Sequence, residues 1–252
     1  MKEETGSVGR SFAKLDSSAK VRGQAVYADD IALPRMLHCK ILRAQAPHAR
    51  IVSVDASAAR RMPGVVAVLT GRDLPIRFGI LPVSQDEAAL EEHKVRYVGD
   101  PVAAVAAVDE ETAAAACEAI KVEYQRLKPV MTIDEALREA ADEPIQESFS
   151  RRTDNIHRMV SYEFGDLDAG FAAADLVRED VFFFQGNTHL PMEQHSAVAG
   201  YVDDRLTLWS STQVVHYVHR ALSRVLELPM NRIRVIGAAH GGGFGGKTDP
   251  FA

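Results

Sequence analysis

The chain has 252 residues, 46% of them hydrophobic and 25% charged, which is ordinary for a soluble globular protein with room for one large domain or two modest ones. A net charge of -6, with no basic stretch interleaved with aromatics, argues against a nucleic-acid binder. No apolar run is long enough to span a bilayer and the polar opening MKEETGSVGR carries no secretory signal, so the expected compartment is the cytoplasm, with no membrane partner, and the lone cysteines Cys39 and Cys117 are expected to be buried, inert thiols.

Residues 1–20 read as an irregular arm. Short β-type runs follow, MLHCKILRA, ARIVSVDAS and VVAVLTG, divided by turn signals at Ala46-Pro47 and Pro63-Gly64. PVAAVAAVD (101–109) is a near-continuous apolar run that suits a buried strand. EETAAAACEAI (110–120), alanine-rich and opening on acids, predicts a helix, and KVEY returns to strand. The alternation predicts an α/β unit. Residues 138–155 are polar and read as a linker. Beyond it HRMVSYEFG and DLVREDVFFF read as strands around a short helix near Leu167–Ala174. HSAVAGYV and RLTLWSST read as a hairpin turning at Asp203-Asp204, 214–228 as a helix by its apolar spacing, and IRVIG (233–237) as a last strand leading into the glycine loop.

That loop poses the functional question. Gly241 to Thr248 reads GGGFGGKT and satisfies the phosphate-cradling pattern G-x-x-x-x-G-K-[ST]. A working phosphate loop needs a helix starting at its Lys-Ser/Thr, and only Asp249 to Ala252 follow here. If LTLWSS and IRVIG are parallel strands, the connections after both open on one sheet edge, where open α/β sheets bind ligands. Gln213 and the glycine loop then converge on one crevice. Five glycines in six positions let the backbone approach a bulky ligand, and Phe244 is the one side chain among them. A glycine-rich turn with no ligand is the plain alternative. His189 and His195 flank Glu193, and His216 and His219 lie three apart on the predicted helix, but neither set forms a zinc pattern. Glu193, in an apolar neighbourhood, reads as a buried carboxylate bonded to a neighbouring backbone. The Gly-Asp-Pro of VRYVGDPVAAV reads as a structural turn.

Taken together, these stretches resemble the molybdopterin-binding large subunit of the xanthine dehydrogenase/aldehyde oxidase family. KVRGQAVYADDIALPRMLHCKILRAQAPHARIVSVDASAARRMPGVVAVLTGRDLP resembles the family's opening hammerhead domain, and KVRYVGDPVAAVAAVDEETAAAACEAIKVEYQRLKPV its second half. STQ, a helix and NRIRVIGAAHGGGFGGK resemble the start of its molybdopterin-binding domain. The implied fold is α+β, a mixed α/β class. It has an arm at 1–20, a hammerhead domain at 21–137, a linker at 138–155 and the first part of a molybdopterin-binding domain at 156–252.

The resemblance implies that Gln213 hydrogen-bonds an oxo ligand of molybdenum, and that Gly242, Gly243, Phe244 and Gly245 lie against the metal and the pterin. It implies molybdopterin, in the cytosine dinucleotide form, as cofactor. Iron–sulfur clusters and FAD are expected on partner subunits, since this chain has no cysteine cluster to hold them. The family's glutamate base has no counterpart here, so it is expected downstream or on a partner, and the chain is expected to be an N-terminal portion or one half of a split subunit. The implied substrate is a small aromatic or heterocyclic molecule. FGILPVSQDEAALEEHKVRYVGDPVAAVAA is especially like the large subunit of 4-hydroxybenzoyl-CoA reductase, which runs reductively. The rival to the enzyme is a non-catalytic assembly module of such a complex.

Overall fold

The computed structural model describes residues 8–81, 85–138, 144–146, 155–156 and 158–250. In chain order the helices and strands are α1 (Ser17–Val21), β1 (His38–Arg43), β2 (Ala49–Asp55), α2 (Ser57–Arg60), β3 (Val65–Thr70), β4 (Lys94–Val95), β5 (Pro101–Ala107), α3 (Glu110–Ala119), β6 (Lys121–Arg126), α4 (Ile133–Arg138), α5 (Leu167–Ala172), β7 (Ala197–Val202), β8 (Arg205–Ser210), α6 (Val215–Val225) and β9 (Ile233–Gly237). They fall into two compact units. One comprises Arg35–Leu190 with Arg220–Leu228, the other Met1–Pro34, Pro191–His219 and Pro229–Ala252.

The larger unit holds two three-stranded sheets, ordered β1-β5-β3 and β4-β2-β6. Every pairing in them is antiparallel, so the strand–helix alternation of the sequence does not produce a parallel βαβ sheet. The near-continuous apolar β5 has a different cause. Ala103 and Val105 join one buried cluster with Ala116 and Cys117 of α3, while Val102, on the opposite face of the strand, joins a second with Ala49 and Val95. A central strand serving two cores has no polar face. Val102 and Val105 are fully buried, each stabilising by roughly 1.5–3 kcal/mol. The alanines of α3 and β5 are small enough to let helix and sheet approach closely. Asp109 begins α3, its carboxylate accepting from the Thr112 N–H at 2.7 Å, and Glu110 and Glu111 in the first turn complement the helix dipole.

Three expectations are corrected here. Cys39 is exposed, so only Cys117 is a buried thiol, its sulfur 3.5 Å from the Lys40 carbonyl. The segments 158–164 and 175–184, expected as strands, are not strands; no strand pairs with them among the described residues. Their β-branched and aromatic composition suits a strand, yet Val181 to Phe184 lie at least four-fifths exposed. The arm is not wholly irregular, because α1 closes it, with Lys20 paired to Asp16 one turn back. Part of the expected linker, 139–143 and 147–154, lies outside the described residues.

In the smaller unit β7 and β8 form the expected hairpin. Val202 and Arg205 are register partners, leaving Asp203 and Asp204 as a two-residue turn with φ of 49° and 63°. Positive φ at both positions defines the primed turn whose twist suits a hairpin, and aspartate tolerates it. The Tyr201 hydroxyl donates to Asp204 at 2.7 Å and Arg232 pairs with the same carboxylate at 2.6 Å. β8 and β9 pair in parallel, from Leu206 opposite Ile233 to Ser210 opposite Gly237, with α6 as the crossover between them. Val218 of α6 is buried, as are Leu206 and Ile233 at the start of the strands. His219 Nε2 lies 3.0 Å from the Met230 carbonyl and 3.1 Å from that of Ile233, which ties the helix to the beginning of β9.

Candidate functional site

Parallel pairing sends the chain out of β8 and β9 on the same edge. Thr212 and Gln213 follow β8, and Ala238 to Lys247 follow β9. The Gln213 N–H donates to the Lys247 carbonyl at 2.8 Å, and the Thr212 hydroxyl reaches the same oxygen at 3.2 Å. In return, Gln213 Oε1 accepts from the N–H groups of Gly245 at 3.0 Å and Lys247 at 3.2 Å. The expected convergence of Gln213 with the loop is therefore a direct contact. Since Oε1 is held by two backbone donors, the amide –NH2 is turned away from the loop. Gln213 is exposed, and among the described residues its –NH2 meets no protein acceptor.

The glycines allow this approach. A Cβ on Gly243 would stand 2.5 Å from Gln213 Oε1 and 2.7 Å from His240 Cε1. A Cβ on Gly241 would stand 2.6 Å from the Cβ of Glu193. Gly242, Phe244 and Gly245 have φ of 107°, 52° and 92°. For a phenylalanine that left-handed conformation costs roughly 1–2 kcal/mol. The Phe244 ring folds to 3.4 Å from where a Gly242 Cβ would be and remains 75% exposed, a flat apolar surface on the loop. The N–H groups of Gly242, Gly243 and Phe244 find no protein acceptor among the described residues; of the three residues Gly243 is buried and Phe244 exposed.

Glu193 and Lys247 lie beneath the loop. Their side chains are 9% and 0% exposed, and Lys247 Nζ is 2.6 Å from Glu193 Oε2, which also accepts the Gly241 N–H at 2.9 Å. The sequence reading of Glu193 as a buried carboxylate bonded to a loop backbone missed this lysine. No signal in the sequence marks a motif lysine as buried, and GGGFGGKT presents it as a phosphate ligand. His195 Nε2 lies 2.9 Å from the Gly246 carbonyl and Lys20 Nζ donates to the His240 carbonyl at 2.9 Å, so two more side chains brace the loop. Burial, together with the Lys247 charge, pulls the His240 imidazole below its ordinary range, which keeps it neutral at pH 7, and its Nε2 is buried without a partner.

This geometry argues against a phosphate loop, because the lysine ammonium is held by Glu193 rather than free to meet a phosphate. Titration with Mg-ATP is expected to show no saturable heat with either the wild type or Lys247→Ala. Saturable wild-type binding at micromolar concentration, lost in the variant, would reinstate nucleotide chemistry. Among the described residues no three His, Cys, Asp or Glu side chains are gathered as a metal site, and no helix is long and apolar enough to cross a membrane.

Two family descriptions match the sequence. "Aldehyde oxidase and xanthine dehydrogenase, a/b hammerhead domain" covers residues 22–128, and "Molybdopterin cofactor-binding domain" covers residues 149–252. The chain belongs to the aldehyde oxidase and xanthine dehydrogenase family. Within it, the chain is 40% identical over 245 residues to the nicotinate dehydrogenase large molybdopterin subunit of Eubacterium barkeri, covering 96% of this chain and 56% of that one. It is 32% identical over 265 residues to the carbon monoxide dehydrogenase large chain of Afipia carboxidovorans, covering 99% of this chain and 33% of that one. The crystal structure of quinoline 2-oxidoreductase from Pseudomonas putida 86 superposes with a TM-score of 0.83 at 31% identity, over 97% of this chain and 32% of that one. The chain thus spans from about a third to a little over half the length of these relatives. Residues 35–128 of the hammerhead match lie in the larger unit and 22–34 in the smaller, and the glycine loop and Gln213 lie in the molybdopterin-domain match.

Proposed function

We propose that this chain supplies the loop-and-glutamine wall of a molybdopterin site in a molybdenum-dependent oxidoreductase. Gln213 would donate through its –NH2 to a ligand atom of the metal centre, and Gly242, Gly243, Phe244 and Gly245 would lie against the metal and pterin. The observation that carries this reading is the Gln213 side chain itself. Its oxygen is fixed by the Gly245 and Lys247 N–H groups, which leaves its –NH2 exposed beside three unpaired backbone donors. Gly243, where a Cβ would strike Gln213 and His240, is what lets the glutamine lie directly against the loop backbone.

When bound, the cofactor supplies two-electron oxygen-transfer chemistry. This chain's part is to hold the group by backbone donors, orient it through Gln213 and shield one side with Phe244. The catalytic base is proposed to come from outside these 252 residues, as are iron–sulfur clusters and FAD on partner subunits, in keeping with the greater length of the matched relatives. The cytosine dinucleotide form of the pterin is proposed with them, and cytoplasmic residence.

The preferred reaction is hydroxylation of a small aromatic or heterocyclic substrate, supported by the likeness to proteins named for nicotinate and quinoline. A second reading is reductive dehydroxylation of an aromatic acyl-CoA such as 4-hydroxybenzoyl-CoA, favoured by the stretch 78–107. Assaying the holoenzyme with N-heteroaromatics plus an electron acceptor, and with 4-hydroxybenzoyl-CoA plus a low-potential donor, separates the two. For the site itself, Gln213→Ala in the reconstituted holoenzyme is expected to lower turnover per bound molybdenum roughly ten- to hundredfold, as for one lost charge-assisted hydrogen bond. Metal content is expected to hold, because many backbone donors carry the pterin. Loss of all molybdenum with normal turnover per remaining metal would refute the role given to Gln213. A complex that never carries molybdenum would instead favour the assembly module.

A further inference from the structure

We propose that the buried Lys247–Glu193 ion pair is a positioning device that fixes the Gln213 amide through the glycine loop. The proposal rests on the cofactor reading above for its catalytic consequence, though not for its structural one.

The pair closes the loop at both ends. One carboxylate oxygen, Glu193 Oε2, takes the Gly241 N–H at 2.9 Å at the loop's entry and Lys247 Nζ at 2.6 Å at its exit. Between them the backbone has positive φ at Gly242, Phe244 and Gly245 and only two turn bonds of its own, Gly246 N–H to the Gly243 carbonyl at 2.7 Å and Thr248 N–H to that of Gly245 at 3.2 Å, so the ends of the loop are fixed by contacts from outside it. Lys247 is also the residue that grips Gln213. Its N–H donates to Gln213 Oε1, and its carbonyl accepts from the Gln213 N–H and the Thr212 hydroxyl. Fixing the lysine side chain therefore fixes the backbone unit that sets the direction of the glutamine –NH2.

An ion pair is a poor choice for stability alone. Both charges are out of water, and Glu193 Oε1 is buried with no partner. Two apolar side chains of similar volume would pack there at equal or better stability. What an apolar pair would not provide is a point of registry. A carboxylate oxygen 2.6 Å from an ammonium and 2.9 Å from an N–H allows one placement of the loop, whereas an apolar contact allows several. The pair is thus suited to orientation, and it acts on the reacting centre only through Gln213.

The test uses Glu193→Gln, Lys247→Met and the double variant, with two readouts. In the full chain, amide hydrogen exchange at Gly245 and Lys247 is expected to rise at least roughly tenfold in each variant, with β8 and β9 amides unchanged. In the holoenzyme, turnover per bound molybdenum is expected to fall by about tenfold or more while metal content hardly changes. The double variant, which leaves no lone buried charge, is expected to recover the melting temperature but neither the exchange protection nor the turnover. If the single variants do not fold, the double variant alone decides. Wild-type exchange and turnover in the double variant would overturn the proposal, leaving the pair as packing. A wild-type complex that holds no molybdenum would defeat the cofactor reading, and the exchange measurement would still decide the positioning role.

Discussion

Gly243→Ala is expected to disable the site while leaving the chain folded. The added Cβ would sit 2.5 Å from Gln213 Oε1 and 2.7 Å from its Cδ, closer than real contacts allow. The Gln213 side chain can swing away, and the His240 ring, 2.7 Å from the same Cβ, must turn with it; both are side chains rather than backbone, so the fold survives the change. The loss falls on function, because a displaced amide gives up its bonds to the Gly245 and Lys247 N–H groups and can no longer present its –NH2 in a fixed direction. Turnover per molybdenum is expected to fall about as far as in Gln213→Ala, by roughly ten- to hundredfold, since in both variants the amide no longer holds its direction. The melting temperature is expected to move by only about 2–4 °C, the equivalent of roughly 1 kcal/mol. Gly241→Ala is the contrast. There the overlap at 2.6 Å is with the Cβ of Glu193, which cannot rotate away, so the loop entry itself must shift. A Gly243→Ala enzyme with wild-type turnover per metal would show that Gln213 does not need its present position.

The frame of the site is legible in the sequence where local chemistry decides the structure. The Asp203-Asp204 turn, the α6 crossover and the parallel pair β8–β9 all follow from turn residues, apolar spacing and connection handedness, and they bring Gln213 to the glycine loop. Legibility fails where a segment's surroundings decide. PVAAVAAVD reads as a buried strand and is one, but nothing in it says that β5 pairs antiparallel or that its two apolar faces serve separate cores. VFFF reads as strand because its residues suit one, yet a strand also needs a neighbour, and nothing in its own sequence says where that neighbour is. Lys247 is the sharpest case. Sequence pattern points it outward at a phosphate, and only the fold brings Glu193, 54 residues away, to its ammonium.

The hammerhead holds a second buried ion pair, and breaking it is expected to have the largest effect on stability. Arg96 and Glu91 are 10% and 6% exposed in their side chains and meet at 2.6 Å. Arg96 also donates to the carbonyls of Lys94 at 3.0 Å and Ile145 at 3.1 Å. Removing the guanidinium in Arg96→Met leaves the Glu91 carboxylate buried, with Arg77, at 3.9 Å, its one remaining ion-pair partner among the described residues, and is expected to cost about 3–5 kcal/mol near neutral pH. That corresponds to a fall in melting temperature on the order of 6–20 °C. The pH dependence has a defined sign. Burial already pushes the Glu91 carboxyl above its ordinary range, with Arg96 as the main opposing influence, and the nearby Asp100 carboxyl is raised by burial too. A carboxyl raised in the folded state favours folding at low pH and loses that contribution as pH rises through its folded value. Without Arg96 the Glu91 value rises further, so the penalty is full at neutral pH and shrinks as the solution is acidified and the carboxyl takes up a proton. Glu91→Gln added to Arg96→Met is expected to recover most of the loss at pH 7 for the same reason. The chain's one tryptophan, Trp209, lies in β8 of the other unit, so circular dichroism should register the shift while tryptophan fluorescence follows that unit's own transition. A penalty that stays constant between neutral and acid pH would mean that the lost carbonyl contacts, rather than the stranded carboxylate, carry the effect.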